Sequence, residues 1–374
     1  MKSKTVKERY GGVANIAARH DLTLLNCAAH AYNEIKNRKR NKLMSILINN
    51  NNFVTEYKQA EEFAEQQEDV LWTAREIEMA KDLQSLHADM TPAETHGVTT
   101  VLKLFTMYEL EVGENYWGGF IMKTFPRPEI QRMASLFAMI ELNVHGPFYR
   151  KINEIMNLDS DEFYSSYAED EVLRNRMEWI GRQFESKDPL LVTALGSITE
   201  GAILYSNFAF LKHFQALGKN KLNNMVAGIN FSVRDENLHS LAGAWLYRTL
   251  VEELQQEAGR SLEANTELST RLQNVQEQLV KTCDQVLEHE SRIIDMIFEK
   301  GDIKGITDHQ MKQFIKSRLN LCLENLGMEK HYEVGYNPIA DWFYKNINSS
   351  VFHDFFHRQG NSYSRDWKET SFSW

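Results

Sequence analysis

Apolar residues recur at helical spacing along most of this chain, and between residues 90 and 330 no stretch alternates convincingly at period two. The clearest case is Val98, Val101, Leu102, Leu104, Phe105, Tyr108, Val112 and Tyr116, which return to one face every three or four positions. Thr91-Pro92-Ala93-Glu94 ahead of it supplies a capping residue, a first-turn proline and an early acid, a good helix start. Phe125-Pro126-Arg127-Pro128 interrupts, and Glu129 opens the next helix. Further helices are predicted from Thr73 through Leu86, over 161–185, 190–215 and 222–255, across 251–300 as one long helix or two, and over 308–326 before Gly327. Residues 1–70 are mixed and charged, with a polar break at Asn49–Asn52, and predict peripheral helices. From Asn346 onward aromatic and polar residues follow one another without helical period, as a tail held only by a partner would.

Composition narrows the class. Six prolines serve 374 residues and none lies between Pro189 and Pro338, which suits long helices. Apolar content of 43% and charged content of 25% are those of a globular chain with a sizeable core. A net charge of -10 argues against a general nucleic-acid or anionic-membrane surface. No apolar run approaches the roughly 18 residues that would span a bilayer, and no apolar segment follows the charged start MKSKTVKERYGG, so a cytoplasmic protein is expected. Cys27, Cys283 and Cys322 are too far apart for a metal box or a disulfide framework.

Two polar constellations interrupt the apolar faces. Glu141, His145 and Tyr149 stand at four-residue steps, with Gly146 and Pro147 where a regular helix would not want them. Arg234-Asp235-Glu236-Asn237-Leu238-His239 contains Glu-x-x-His, which puts Glu236 and His239 on one helix face. Two such pairs plus one glutamate from each of two further helices make the di-metal carboxylate design of four-helix bundles. Lone glutamates do occur inside apolar helices, Glu109 in Leu104–Gly113 and Glu200 in Leu195–Ser206. Buried together, four carboxylates would repel, and two divalent cations would balance them with the imidazoles as neutral ligands. The expected fold is all-α, a ferritin-like helical bundle with a di-metal site in its four-helix core.

These stretches resemble the small, radical-generating subunit of class I ribonucleotide reductase. The resemblance runs over about residues 70–374 and is most specific in Glu109–Gly113, Glu200–Phe208, Arg234–His239, Asn337-Pro338-Ile339 and the tail. It implies metal ligands Glu109, Glu141, His145, Glu200, Glu236 and His239; Glu109 is preferred to Glu111 because Gly113 falls where the family places a glycine. It implies two metal ions, iron at both positions first, with Mn/Fe or Mn/Mn as alternatives. Trp72 looks like the family's buried tryptophan, Asp235 like the carboxylate linking it to His145, and Tyr363 like the tail tyrosine that relays the radical between subunits. Phe208 and Tyr205 are expected to line the metal pocket. The implied layout is a peripheral helical extension over 1–60, the di-metal domain over 61–345, and a flexible tail over 346–374 that docks on the catalytic large subunit. A homodimer is implied too, without nucleic acid or membrane.

One departure from the family matters. Its first pair is Glu-x-x-His, whereas here it is Glu141-x-x-x-His145. Counting from the glutamate, the radical position is Phe148; counting from the histidine, it is Tyr149. Pro147 would clash with the carbonyl four residues back, and a π-bulge within 141–147 would relieve that clash and absorb the extra residue. Tyr149 is then the favoured radical site, and a metal-held oxidising equivalent beside Phe148 the alternative. Outside this reading stand a self-sufficient di-metal oxidase or hydroxylase, which needs neither Trp72, Asp235 nor Tyr363, and a metal-storage or scaffold protein.

Overall fold

A computed structural model describes residues 45–49, 54–259 and 261–343. The described chain from Ile46 onward forms one unit; residues 1–44 of the expected peripheral extension and the tail with Tyr363 lie outside the described residues. Among the described residues every regular element is helical. In order these are α1 (Lys58–Asp69), α2 (Pro92–Leu110), α3 (Pro128–Ile140), α4 (Gly146–Ile155), α5 (Asp161–Glu169), α6 (Glu171–Phe184), α7 (Pro189–Ile198), α8 (Leu204–Lys212), α9 (Asn223–Ala258), α10 (Leu262–Ile297) and α11 (Asp308–Asn325). Four π-helical segments lie among the described residues: Ser85–Asp89 ahead of α2, Glu111–Ile121 after it, Glu141–His145 between α3 and α4, and Thr199–Ile203 between α7 and α8.

Local chemistry accounts for the helix starts. The Thr91 hydroxyl accepts from the Glu94 N–H at 3.2 Å while the Glu94 carboxylate accepts from the Thr91 N–H at 2.9 Å, with Pro92 in the first turn of α2. Helix α9 has no such cap of its own, since Leu222 ahead of it is left-handed at φ 55. Asp82 caps it from a distance, accepting from the backbone N–H groups of Asn224 at 3.2 Å and Met225 at 2.6 Å. Because α9 carries Glu236 and His239, that contact fixes one end of the site's main support.

Three expectations change. The helix predicted over Thr73–Leu86 is instead a chain of short turns at Ala74–Glu76, Met79–Asp82 and Ser85–Asp89. Its residues serve α9: Asp82 caps that helix and Trp72 buries its indole against it, and these contacts outweigh a weak local helix preference. The single helix expected over 161–185 is two, because Asp170 leaves helical geometry and accepts from the N–H groups of Val172 and Leu173. And α1 is not peripheral, since Ala60, Phe63, Ala64 and Gln67 are buried where it packs on α3.

The core is built on α9 against α7, with α2, α3, α10 and α11 around them. Against the expectation that no apolar run comes near a membrane span, Pro189–Gly218 is long and apolar enough by composition to cross one, but 89% of its apolar window is buried inside the protein, as a core helix requires.

Lys212, at the end of α8, is fully buried under Phe343, with Nζ 4.2 Å from the ring centroid and 3.4 Å from the Phe343 carbonyl oxygen. Burial pushes its ammonium down to about 7. Below that pH the lysine is charged in both folded and unfolded chains, and the folded state carries the whole cost of burying it. Between about 7 and the unfolded value near ~10.4, the unfolded chain holds a proton that the folded chain has released, so stability rises with pH. Lys212→Met is expected to remove this rise and to gain most at pH 6. Urea unfolding of both proteins at pH 6 and pH 9 checks it, and an advantage equal at both values would refute it.

Candidate metal centre

Four helical segments converge on one point. The last turn of α2 brings Glu109, the π segment Glu141–His145 brings both of its end residues, the π segment Thr199–Ile203 brings Glu200, and α9 brings Glu236 and His239. All six are at most 1% exposed. They form two groups able to hold an ion, Glu109, Glu141, His145 and Glu236 in one, Glu141, Glu200, Glu236 and His239 in the other. Glu141 and Glu236 are common to both. The shared members show in the distances: His145 Nδ1 lies 2.9 Å from Glu141 and 3.1 Å from Glu236, and His239 Nδ1 lies 2.6 Å from the other Glu141 oxygen. Glu109 approaches His145 at 3.4 Å and Glu200 approaches His239 at 3.6 Å, one at each end.

The backbone explains the unequal spacing of the two Glu/His pairs. Helix α9 is regular from Asn223 to Ala258, so Glu236 and His239 meet at i, i+3. Over Glu141–His145 the i→i+5 bonding of a π-helix widens the turn, and i+4 does there what i+3 does in an α-helix. Pro147 then sits in the first turn of α4, where its missing N–H is harmless. The extra residue is absorbed, and both ends of the segment reach the cluster.

Buried acids without metal must settle their charge with protons. Burial, reinforced by the Glu141 charge, pushes Glu109 and Glu236 well above the usual carboxylate range. Glu141 is equally buried, but His145, Glu109 and His239 outweigh that and hold it well below. Burial alone would lower both imidazoles. Glu141 and Asp235 instead raise His145, and Glu141 with Glu200 raises His239 to about 9. The four carboxylates thus call for positive charge at their centre. Of the buried polar atoms that lack a hydrogen bond, both oxygens of Glu109 and of Glu236, one each of Glu141 and Glu200, and His239 Nδ1 all belong to the cluster. Four carboxylates and two imidazoles with inward-facing, unsatisfied atoms fit a pair of divalent ions.

The surroundings orient the imidazoles. His145 Nε2–H donates to Asp235 Oδ2 at 3.2 Å, and His239 Nε2–H donates to Gln67 Oε1 at 3.1 Å, which leaves each Nδ1 facing the cluster. Trp72, 3% exposed, donates its indole N–H to the same Asp235 oxygen at 2.7 Å. The Gln67 amide N–H₂ donates to the other Asp235 oxygen at 3.1 Å, so Gln67 ties the two halves together. Tyr149 is fully buried in the first turns of α4, its hydroxyl 3.0 Å from Ser232 Oγ and its ring stacked on Phe105 at 4.2 Å. Burial holds its hydroxyl well above the usual phenol range. Phe148 turns the other way, edge-on to Trp72 at 5.3 Å. Phe208 packs behind Phe105 at 5.3 Å, whereas Tyr205 bonds the Val233 carbonyl and lies under Arg318.

The structure therefore brings together Trp72, Glu109, Glu141, His145, Tyr149, Glu200, Asp235, Glu236 and His239. Glu111 points away and bonds Asn115 at 2.8 Å. Gln67, Trp117 and Ser232 also take part and were not anticipated. Gln67 was legible: with Ala60, Phe63 and Ala64 it continues a three–four spacing, a polar residue in a core position of a charged helix.

A family model described as "Ribonucleotide reductase, small chain" matches residues 49–338. The ribonucleoside-diphosphate reductase subunit beta of Treponema pallidum is 29% identical over 220 residues, 55% of this chain and 57% of that protein. The ribonucleoside-diphosphate reductase subunit M2 of Rattus norvegicus is 23% identical over 326 residues, 84% of this chain and 74% of that protein. Among solved structures, the dimanganese(II)-NrdF of Streptococcus sanguinis superposes with a TM-score of 0.65 at 19% identity, covering 79% of this chain and 98% of that one.

Proposed function

The chain belongs to the ribonucleotide reductase small-chain family, and from that membership we infer that it is the radical-generating subunit of a ribonucleoside-diphosphate reductase, active only with a large subunit. The observation that carries this reading is the pair of interlocked Glu/His groups joined through Asp235 to a buried tryptophan. In our assignment Glu109 and His145 would serve one ion, Glu200 and His239 the other, and Glu141 and Glu236, which belong to both groups, would serve both. Two redox-active ions held there, iron in our reading and manganese acceptable to the same donors, would supply dioxygen reduction and the oxidising power that follows from it. Tyr149, buried between the rings of Phe105 and Phe148, stores that power as a phenoxyl radical. Trp72, Asp235 and His145 form a hydrogen-bonded line from the cluster outward, which a self-sufficient oxidase would not need. Residues 346–374 dock on the large subunit, with Tyr363 as the relay across the interface, and the chain acts as a homodimer.

Metal analysis together with ribonucleotide reduction, on the full chain and on one ending at residue 345, tests this. Two ions per chain are expected in both proteins. Turnover is expected only with the large subunit, and only for the full chain. A truncated chain that still supports turnover would remove the tail's role; a full chain that takes up no metal would remove the centre.

A further inference from the structure

The two ends of the cluster are supported differently. Neither Glu109 oxygen has a donor from outside the cluster, whereas Glu200 Oε1 accepts the indole N–H of Trp117 and its Oε2 has no hydrogen bond and faces His239 Nδ1 at 3.6 Å. Both Trp117 and Glu200 are fully buried. The indole cannot swing away, because it is wedged edge-to-face between Phe137 at 4.8 Å and Tyr116 at 4.7 Å, with His239 beyond at 5.9 Å. It stands in the π segment Glu111–Ile121, which is pressed onto the cluster elsewhere too. A Cβ at Gly113 would come within 2.8 Å of Leu142 and 3.0 Å of the Glu141 side chain.

We propose that Trp117 is a positioning residue for Glu200: its N–H engages one carboxylate oxygen and thereby turns the other into the cluster, setting the affinity of one metal position and not the other. This rests on the di-metal reading above. The physics is that of any donor placed behind a ligating carboxylate. It removes rotational freedom from the ligand and fixes which lone pairs are offered, and loss of such a partner weakens metal binding by about 10–100-fold. An indole suits the task, since it is a donor only and cannot compete for the cation.

The test is titration of the metal-free chain with Mn(II), free ion being counted by electron paramagnetic resonance, in the parent and in Trp117→Phe, which keeps the aromatic packing and loses the N–H. The parent is expected to bind two ions. The variant is expected to keep one at the parent affinity and to bind the other about 10–100-fold more weakly. Thermal unfolding of each metal-free variant reports its folding. Two ions bound as in the parent, or both weakened alike, would overturn the role of Trp117. A parent that binds no ion would overturn the di-metal reading and this inference with it. Should the phenylalanine variant not fold, the parent labelled with ¹⁵N-tryptophan and titrated with Zn(II) decides. One indole signal, absent from Trp117→His, is expected to follow a single binding step, and a signal that follows both steps or neither would overturn the proposal.

Discussion

Replacing Tyr149 with phenylalanine is expected to abolish the organic radical signal of the activated protein and to lower nucleotide reduction with the large subunit on the order of a thousandfold, equivalent to about 4 kcal/mol in barrier. The substitution removes one oxygen from a site otherwise closed by rings. Phe105 stacks on the Tyr149 ring at 4.2 Å, and its hydroxyl has Ser232 at 3.0 Å. Losing that bond costs the fold about 1 kcal/mol, so metal content and thermal stability stay near those of the parent and the effect is assignable to chemistry. Electron paramagnetic resonance and turnover measured on the same sample check it. An unchanged spectrum with unchanged turnover would transfer the stored equivalent to the metals beside Phe148. The geometry favours Tyr149, because Phe148 turns its ring toward Trp72 instead.

What the sequence made legible follows from how strongly each feature is written into local pattern. Helices α2, α3, α7 and α11 could be placed because their apolar residues keep one period and their starts carry Thr91-Pro92, Pro128, Pro189 and Thr307, and α9 by its period alone. The π turn at Glu141–His145 was legible for a rarer reason. A proline and a Glu/His pair one residue too long are both errors in an α-helix, and a single π turn corrects them together. The segment after Trp72 was not legible, since what shapes it lies about 150 positions away: Asp82 serves the start of α9 and Trp72 serves Asp235. Trp117 escaped for a similar reason. In sequence it is one more aromatic residue in Tyr116-Trp117, and only the longer π segment Glu111–Ile121 turns its indole onto Glu200. The residues proposed to hold metal were thus visible as a pattern of six, while those that orient them come from other elements and carry no pattern of their own.

Asp235 is where that supporting set meets, and Asp235→Asn is expected to cut nucleotide reduction at least about 100-fold while the activated chain still shows its radical. Four donors converge on this carboxylate. Trp72 Nε1–H and His145 Nε2–H share Oδ2 at 2.7 and 3.2 Å, Gln67 donates to Oδ1 at 3.1 Å, and the Arg234 guanidinium stands 3.6 Å from that oxygen. An asparagine presents an oxygen to one side and an N–H₂ to the other. With the N–H₂ toward Trp72 and His145, three donors face one another and the imidazole loses the partner that fixes its tautomer. With the N–H₂ toward Gln67, the glutamine must flip its amide to accept, and it then gives up the acceptor it offers to His239. Either way one imidazole is left with an unpaired buried N–H, at about 1–3 kcal/mol. The loss is therefore expected in two parts: metal affinity weaker by about 10–100-fold, which excess metal restores, and a block in transfer between the cluster and Trp72, which it does not. Turnover measured at saturating metal separates them. A variant that regains the parent rate there would reduce Asp235 to a support for the imidazoles, and one that stays slow with its Tyr149 radical intact would place Asp235 on the route the radical takes.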